Sequence, residues 1–297
     1  MGNIRIIENE GIAYVQFNKL LEYENSLFHG MTLKLNDVGF SRRNSPNIRK
    51  NSIEKIQKLL NIKKENIIQL RQMHTSNIII NMNDKTNLFQ EESGKIKEKL
   101  LPENNIDEIK DENIKAVKNI SEEVYTDGII TNNKNLATII TTADCIPIII
   151  YDPRNKIVAN VHSGWKGTVK KIGLKAVKIM IDELGSDKTD LIFCIGPNIR
   201  KDHFLVNDDV VEIYEKTFKG DLDLKNVIEK TEFTNQKGIQ YRIDNTLIYR
   251  TLLKKMGLLD KNIIDSELCT MCDSDKFHSR RCEGKNYQVN GSIAMLK

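Results

Sequence analysis

The chain has 297 residues, 39% of them apolar, enough to bury a sizeable core as one large domain or two small ones. Its net charge of +4 is spread over a sequence that is 29% charged, with bases interleaved among acids, so no nucleic-acid partner is expected. Five cysteines, an odd number, argue against a disulfide framework; with no apolar leader and no run long enough to span a bilayer, we expect reduced thiols, no membrane partner and a cytoplasmic location.

No proline- or glycine-rich linker and no solenoid-length repeat interrupts the sequence, so one domain over 1–297 is expected. Residues 3–17 alternate as short strands around the turn Asn9-Glu10-Gly11. Ile53, Ile56, Leu59 and Leu60 have the spacing of an amphipathic helix over 52–60. The run Leu70-Arg71-Gln72-Met73-His74 ends on a histidine just before Ile78-Ile79-Ile80. From 81 to 123 the chain is lysine-rich, acidic and poor in aromatics, and reads as a surface excursion, partly helical or mobile.

Two β-branched runs then dominate: 138–152, which crosses the polar pair Asp144-Cys145, and 158–163, which leads through His162 into the turn Gly164-Trp165-Lys166-Gly167. Apolar spacing predicts helices over 170–184, 208–218 and 245–256, the first beginning just beyond the glycine turn. Those glycines suit either a close approach to a phosphate or a tight structural turn. Strands alternating with helices imply an α+β fold, a layered mixed β-sheet with helices packed on it. Cys194, inside Leu191-Ile192-Phe193-Cys194-Ile195, reads as a buried core thiol.

Two imidazoles and one thiolate, His74, His162 and Cys145, suit zinc, and three protein ligands leave the fourth tetrahedral position open, as in catalytic sites. The three are far apart in sequence, so spacing alone does not show that they meet. Near the C-terminus, Cys269-Thr270-Met271-Cys272 followed by His278 and Cys282 matches a structural zinc on residue type. Arg280 and Arg281 carry guanidinium forks that match phosphate, although a surface ion pair is the plainer use.

The ordered blocks Gln72-Met73-His74, Thr126-Asp127-Gly128-Ile129-Ile130-Thr131, Thr142-Ala143-Asp144-Cys145-Ile146-Pro147, Val161-His162-Ser163-Gly164-Trp165-Lys166-Gly167, Ile195-Gly196-Pro197 and Cys269-Thr270-Met271-Cys272 resemble the YfiH/YlmD family. That family is also known under laccase-domain, multicopper polyphenol oxidase and peptidoglycan-editing-factor names. The resemblance runs from about Met31 to the C-terminus. It implies an α/β sandwich shared with the catalytic domain of cytotoxic necrotizing factor, and one zinc per chain held by His74, Cys145 and His162. It also implies that residues 84–123 are an insertion, since the family crosses this interval in fewer residues. Cys282 and Ser292 stand where the family has an acidic residue and an arginine, which points to an altered pocket.

The activity implied by the resemblance is phosphorolysis of adenosine, inosine and methylthioadenosine, with adenosine deamination in the same site. The partners would be a purine nucleoside and phosphate. Zinc lowers the pKa of water to about 7, the activation that deamination needs. Asp127 or Asp144 would handle protons; Gln72, Trp165, Arg280 and Arg281 would bind nucleoside or phosphate, Trp165 as a ring for the base to stack on. A peptidoglycan-editing hydrolase that removes a wrong amino acid from a muramyl nucleotide precursor could use the same zinc. A copper polyphenol oxidase fits poorly, because the chain has five histidines and two of them, His29 and His203, lie in unrelated segments. A non-catalytic zinc module would need a fourth ligand to close the metal.

Overall fold

Strand after strand in this chain is apolar on both faces, and the reason is that helices cover one side and a second sheet the other. The computed structural model describes residues 2–34, 39–41, 44, 46–83, 85–90, 96–99 and 121–297. In chain order its strands are β1 (Ile4–Asn9), β2 (Ile12–Phe17), β3 (Leu27–Thr32), β4 (Ile67–Gln69), β5 (Ile78–Met82), β6 (Lys85–Phe89), β7 (Ile96–Lys99), β8 (Gly128–Thr131), β9 (Ala137–Thr142), β10 (Ile146–Asp152), β11 (Ile157–Ser163), β12 (Ile192–Ile195), β13 (Leu205–Val206), β14 (Ile228–Asn235), β15 (Gly238–Ile243), β16 (Ile263–Asp265) and β17 (Asn290–Leu296). They form a six-stranded sheet ordered β1-β2-β3-β17-β9-β4, an eight-stranded sheet ordered β16-β12-β10-β11-β8-β5-β6-β7 and a small sheet ordered β13-β15-β14.

On β10, Ile146, Ile148 and Ile150 pack with the helices Ile172–Asp182 and Asn245–Met256, while Ile149 and Tyr151 pack with Phe17, Leu27 and Met31 of the six-stranded sheet. The outer face of that sheet is covered by the helix Pro46–Leu60, which buries Ile56 and Leu60. Four layers result: helix, sheet, sheet, helices. Each fully buried isoleucine contributes roughly 1.5–3 kcal/mol, so the strand pair β10–β11 is a stiff platform. Asn160, buried on β11 between the sheets, donates to Thr138 O and Ser292 O and accepts from Ser292 Oγ, which ties the two sheets together across their apolar interior.

The predicted hairpin at Asn9-Glu10-Gly11 is β1–β2, with Glu10 at φ 50° and Gly11 at φ 67°, the two left-handed residues that a tight type I′ turn requires. The helices Asp208–Phe218 and Asn245–Met256 lie where the apolar spacing puts them, and the second ends at Gly257, φ 94°. The helix expected over 52–60 starts earlier, at Pro46, a residue tolerated in a first helical turn. The helix expected over 170–184 is Ile172–Asp182, and a further short helix, Trp165–Val169, precedes it within the glycine turn, the two separated where Lys171 takes φ 59°.

The segment read as a surface excursion begins differently. β6 and β7 extend the eight-stranded sheet, with Phe89 opposite Ile78 and Leu88 opposite Ile79. Leu88 is buried in the inter-sheet core and Phe89 packs on its other face, two contacts that the polar average of the segment hid. Of the expected excursion, 84, 91–95 and 100–120 lie outside the described residues.

Candidate active site

Strand register brings the separated blocks to one end of the eight-stranded sheet. β5 and β8 are parallel, with Ile78 opposite Gly128, and β8 and β11 are antiparallel, with Gly128 opposite Val161. β10 pairs with β11 so that Ile146 faces Ser163. The loop before β5, the residue before β8, the turn before β10 and the end of β11 therefore share an edge. They carry His74, Asp127, Cys145 and His162 respectively.

The ligand atoms of His74, Cys145 and His162 lie within 4.8 Å of one another, a group that could hold a metal ion. Cys145 Sγ is 3.8 Å from His74 Nε2, and the two imidazoles meet edge to face with ring centroids 4.9 Å apart. A glycine is needed next to them: a Cβ on Gly164 would sit 2.5 Å from His74 Cδ2 and 2.9 Å from Cys145 Sγ. His74 at φ 58° and Asp144 at φ 84° hold left-handed backbone, at a cost of about 1–3 kcal/mol each, which the apolar platform beneath them offsets.

Asp127 is fully buried and organises the cluster. Its Oδ1 accepts from His162 Nδ1 at 2.7 Å and from the His74 N–H at 3.1 Å. Its Oδ2 accepts from the N–H groups of Met73 and Thr75 and from Thr75 Oγ1 at 2.7 Å. Burial alone would push this carboxyl up, but those donors, His162 foremost, hold it below the ordinary carboxylate range. With Nδ1 engaged by the carboxylate, His162 turns Nε2 toward Cys145.

Burial likewise opposes ionisation of Cys145, yet His162 and then His74 outweigh it and bring the thiol down to about 6. His162 shifts the other way: burial disfavours its charge, and the Cys145 sulfur and Asp127 more than compensate, so its pKa is raised.

The cluster opens into a cleft of about 440 Å³. Trp165, Ile199, Phe204 and Val206 line it with apolar surface, while Asp144, Arg280 and Arg281 supply charge. Asp144 accepts from Thr270 Oγ1 at 2.7 Å and from the Arg281 N–H at 2.8 Å. The Arg281 guanidinium donates to His203 O at 3.1 Å and Leu205 O at 3.3 Å. A larger cleft, about 940 Å³, lies over the first hairpin and the helix Pro46–Leu60; its lining includes Lys34, Lys55 and His278 but neither group of metal-ligating side chains found among the described residues.

Of the residues read as candidates, His74, Asp144, Cys145, Trp165, Arg280 and Arg281 line the cleft and His162 stands behind it. Two sit elsewhere. Gln72 uses its amide on the backbone of Thr141, accepting from its N–H at 2.7 Å and donating to its carbonyl at 2.8 Å, so it anchors the His74 loop to β9. Asp127 is sealed behind His162. Thr75 and Thr270, which hold these carboxylates, were not singled out by sequence, although each adjoins a motif residue. His278 does not join the cysteines either: its Nδ1 pairs with Glu283 at 2.9 Å, and the imidazole beside Cys269 and Cys272 is His203. Cys194 is fully buried, and burial pushes its thiol well up, as a core role requires. No helix among the described residues is long and apolar enough to cross a membrane.

The chain is 35% identical over 172 residues to the purine nucleoside phosphorylase YlmD of Bacillus subtilis (strain 168), an alignment covering 57% of this chain and 59% of that protein. It is 32% identical over 160 residues to the adenosine deaminase RL5 of an unknown prokaryotic organism, covering 54% of this chain and 58% of the relative. Both matches thus span less than two thirds of the relatives' length. The crystal structure of YlmD from Geobacillus stearothermophilus shares the fold, with a TM-score of 0.74 at 18% identity over 100% of both chains. Residues 29–297 match the family described as multi-copper polyphenol oxidoreductase laccase, and the chain belongs to that family.

Proposed function

We propose that this protein is a zinc-dependent purine nucleoside phosphorylase acting on adenosine, inosine and methylthioadenosine, with adenosine deaminase activity in the same cleft. The observation that carries the reading is a His–Cys–His cluster that opens into a cleft lined also by two arginines. The names of the similar proteins support the same pair of reactions.

His74, Cys145 and His162 would hold the metal. Two imidazoles and a thiol already drawn toward its anion form a donor set that zinc prefers, and three ligands leave one position open. Bound there, zinc would supply Lewis acidity and activated water. Copper chemistry of the kind in the family's description finds little support: of the other three histidines, His29 lies in the core, His278 pairs with Glu283 and His203 lies against two thiols.

Asp127 acts as a positioning residue: it fixes the His162 tautomer and gathers three successive backbone N–H groups so that His74 faces inward. Asp144, which lines the cleft, would be the carboxylate that exchanges a proton with the purine. Trp165 and Phe204 offer faces on which a base stacks, and Arg280 and Arg281 place positive charge for phosphate. Phosphorolysis exchanges the bond from the sugar to the base for one to phosphate and delivers a proton to the departing purine, so a cleft with an anion subsite and a nearby carboxylate suits it.

The test is direct. Purified protein, zinc-loaded or chelated, is given adenosine and inosine with and without phosphate. The reading expects phosphate-dependent release of free base and phosphate-independent release of ammonia, both lost on chelation and restored by zinc; neither product from zinc-loaded protein overturns it.

A further inference from the structure

A second cluster of imidazole and thiol lies outside the site just described. His203 Nδ1 is 3.6 Å from Cys269 Sγ and 3.6 Å from Cys272 Sγ, and the three ligand atoms lie within 4.8 Å of one another. The cysteines flank the two-residue turn Thr270-Met271, and His203 comes from the segment after β12. These two stretches are already joined: Asn198 bridges Cys269, the Thr270 N–H donates to Asn198 O, and Arg200 makes a bidentate pair with Asp265 at 2.8 and 2.6 Å. The donors therefore converge on a braced frame instead of meeting at the tips of free side chains.

We infer that His203, Cys269 and Cys272 form a second metal site, for a thiophilic divalent cation of the zinc class. The separations carry the argument. Zinc–sulfur bonds of about 2.3 Å and zinc–nitrogen bonds of about 2.0 Å meeting near the tetrahedral angle put sulfur about 3.5 Å from nitrogen. Both observed sulfur–nitrogen distances are 3.6 Å. Two sulfurs and one nitrogen are soft donors, which select zinc over magnesium or calcium. Cys282, on the short helix Arg280–Glu283, adds a third thiol, its Sγ 3.8 Å from the carbonyl oxygen of Met271, the residue before Cys272. With Cys282 turned inward the site closes with four ligands, as structural zinc sites do.

This metal would brace the cleft without touching substrate. Thr270, between the cysteines, donates to Asp144, and the carbonyl of His203 accepts from Arg281. The site is independent of the first cluster, so the two stand or fall separately.

The experiment counts metal on the full chain. Protein purified under reducing conditions is reconstituted with zinc, and separately with cobalt, whose thiolate charge-transfer band reports sulfur ligation. Two metals per chain are expected in the parent, one in Cys145→Ser and one in the double variant Cys269→Ser/Cys272→Ser. If the double variant does not fold, the decisive sample is Cys145→Ser, in which one cobalt with a thiolate band must remain and must vanish on further change of His203→Ala. Cys282→Ser should retain the metal with affinity lowered tenfold or more. A parent with a single metal that disappears completely in Cys145→Ser overturns the proposal. So does a Cys269–Cys272 disulfide detected by mass after alkylation of the reduced preparation.

Discussion

At the strand ends, His162 is 3% exposed and a buried carboxylate grips its far nitrogen. In the loop cluster His203 is half-buried, Cys272 is exposed, and the contacts of the imidazole nitrogen are the two thiols. The same donor types thus appear in two settings that answer to different physics. Register between β8, β10 and β11 places the first set, and the core beneath holds it whether or not a metal is present. The second is placed by a short turn held to its neighbour by a backbone bridge at Cys269 and the Arg200–Asp265 pair, with no sheet core beneath Cys272, so metal binding there would be coupled to the order of the loop. A sheet can preorganise a reactive site; a loop needs a cross-link.

The largest effect that separates the two settings is expected from Cys145→Ala. Loss of an outer partner of a metal ligand costs about 10–100-fold in affinity, so loss of the thiolate itself should exceed that and abolish both activities. Compared metal-free, parent and variant should have nearly the same thermal midpoint, because Cys145 lies in a turn whose platform is intact. Metal analysis and calorimetry check this together; loss of the fold alongside the metal would show that the strand-end site is no more preformed than the loop.

A third buried histidine sharpens what Asp127 does for His162. His29 is 1% exposed, accepts from the Phe17 N–H through Nε2 at 2.8 Å, and its Nδ1 meets no partner among the described residues. Without a carboxylate, burial drives its pKa from 6.5 down to about 3. The unfolded chain therefore takes up the proton first as pH falls. Stability from His29 is complete above about pH 6.5 and declines toward pH 3, by a total approaching about 4 kcal/mol. His29→Gln, whose carbonyl can still accept from Phe17, should flatten that part of the curve of urea midpoint against pH. An unchanged slope would mean that burial does not hold His29 neutral.

These contrasts also show how much could be read from sequence. The apolar runs at β10 and β11 were legible because strands buried on both faces leave little polar interruption, so Asp144, Cys145 and His162 stood out at their ends. That His74 joins them came from family resemblance, since no periodicity links a loop residue to a turn 71 positions further on. His203 was missed for the same reason, since Cys269 lies 66 positions further along the chain. Gln72 and Asp127 were read as chemistry, whereas they satisfy backbone and imidazole donors; residue type does not reveal which way an amide or carboxylate faces. β6 and β7 were hidden because two apolar side chains sufficed to pair an edge in a segment that is polar on average.

Asp127→Asn tests the carboxylate itself. One side-chain oxygen accepts from His162 and the His74 N–H, and the other from Met73, Thr75 N–H and Thr75 Oγ1, so an amide must turn its NH₂ toward donors in either orientation. Zinc affinity at the strand-end site should fall by about 10–100-fold, measured by competition with a chelator, while a metal in the loop cluster is unaffected. Equal weakening at both would show that the loss is one of general stability.

The smallest effect is expected where the two regions meet, at Arg281. Its backbone N–H donates to Asp144, an arrangement that alanine keeps, and its guanidinium lies along the cleft while donating to two carbonyls, one of them that of His203. If the remaining donors meet phosphate, Arg281→Ala removes one charge-assisted contact at an exposed position that Arg280 adjoins, worth about 1.5 kcal/mol, the low end for hydrogen bonds to charged groups. The Michaelis constant for phosphate should rise roughly tenfold, since a factor of ten corresponds to about 1.4 kcal/mol. Ammonia release from adenosine, which uses no phosphate, should change less than about twofold. A bracing role predicts another pattern: releasing the carbonyl of His203 would loosen the wall that carries Asp144 as well, and both reactions would fall together. The ratio of the two rate losses, read from one variant, therefore decides whether Arg281 acts on the substrate or only on the loop behind it.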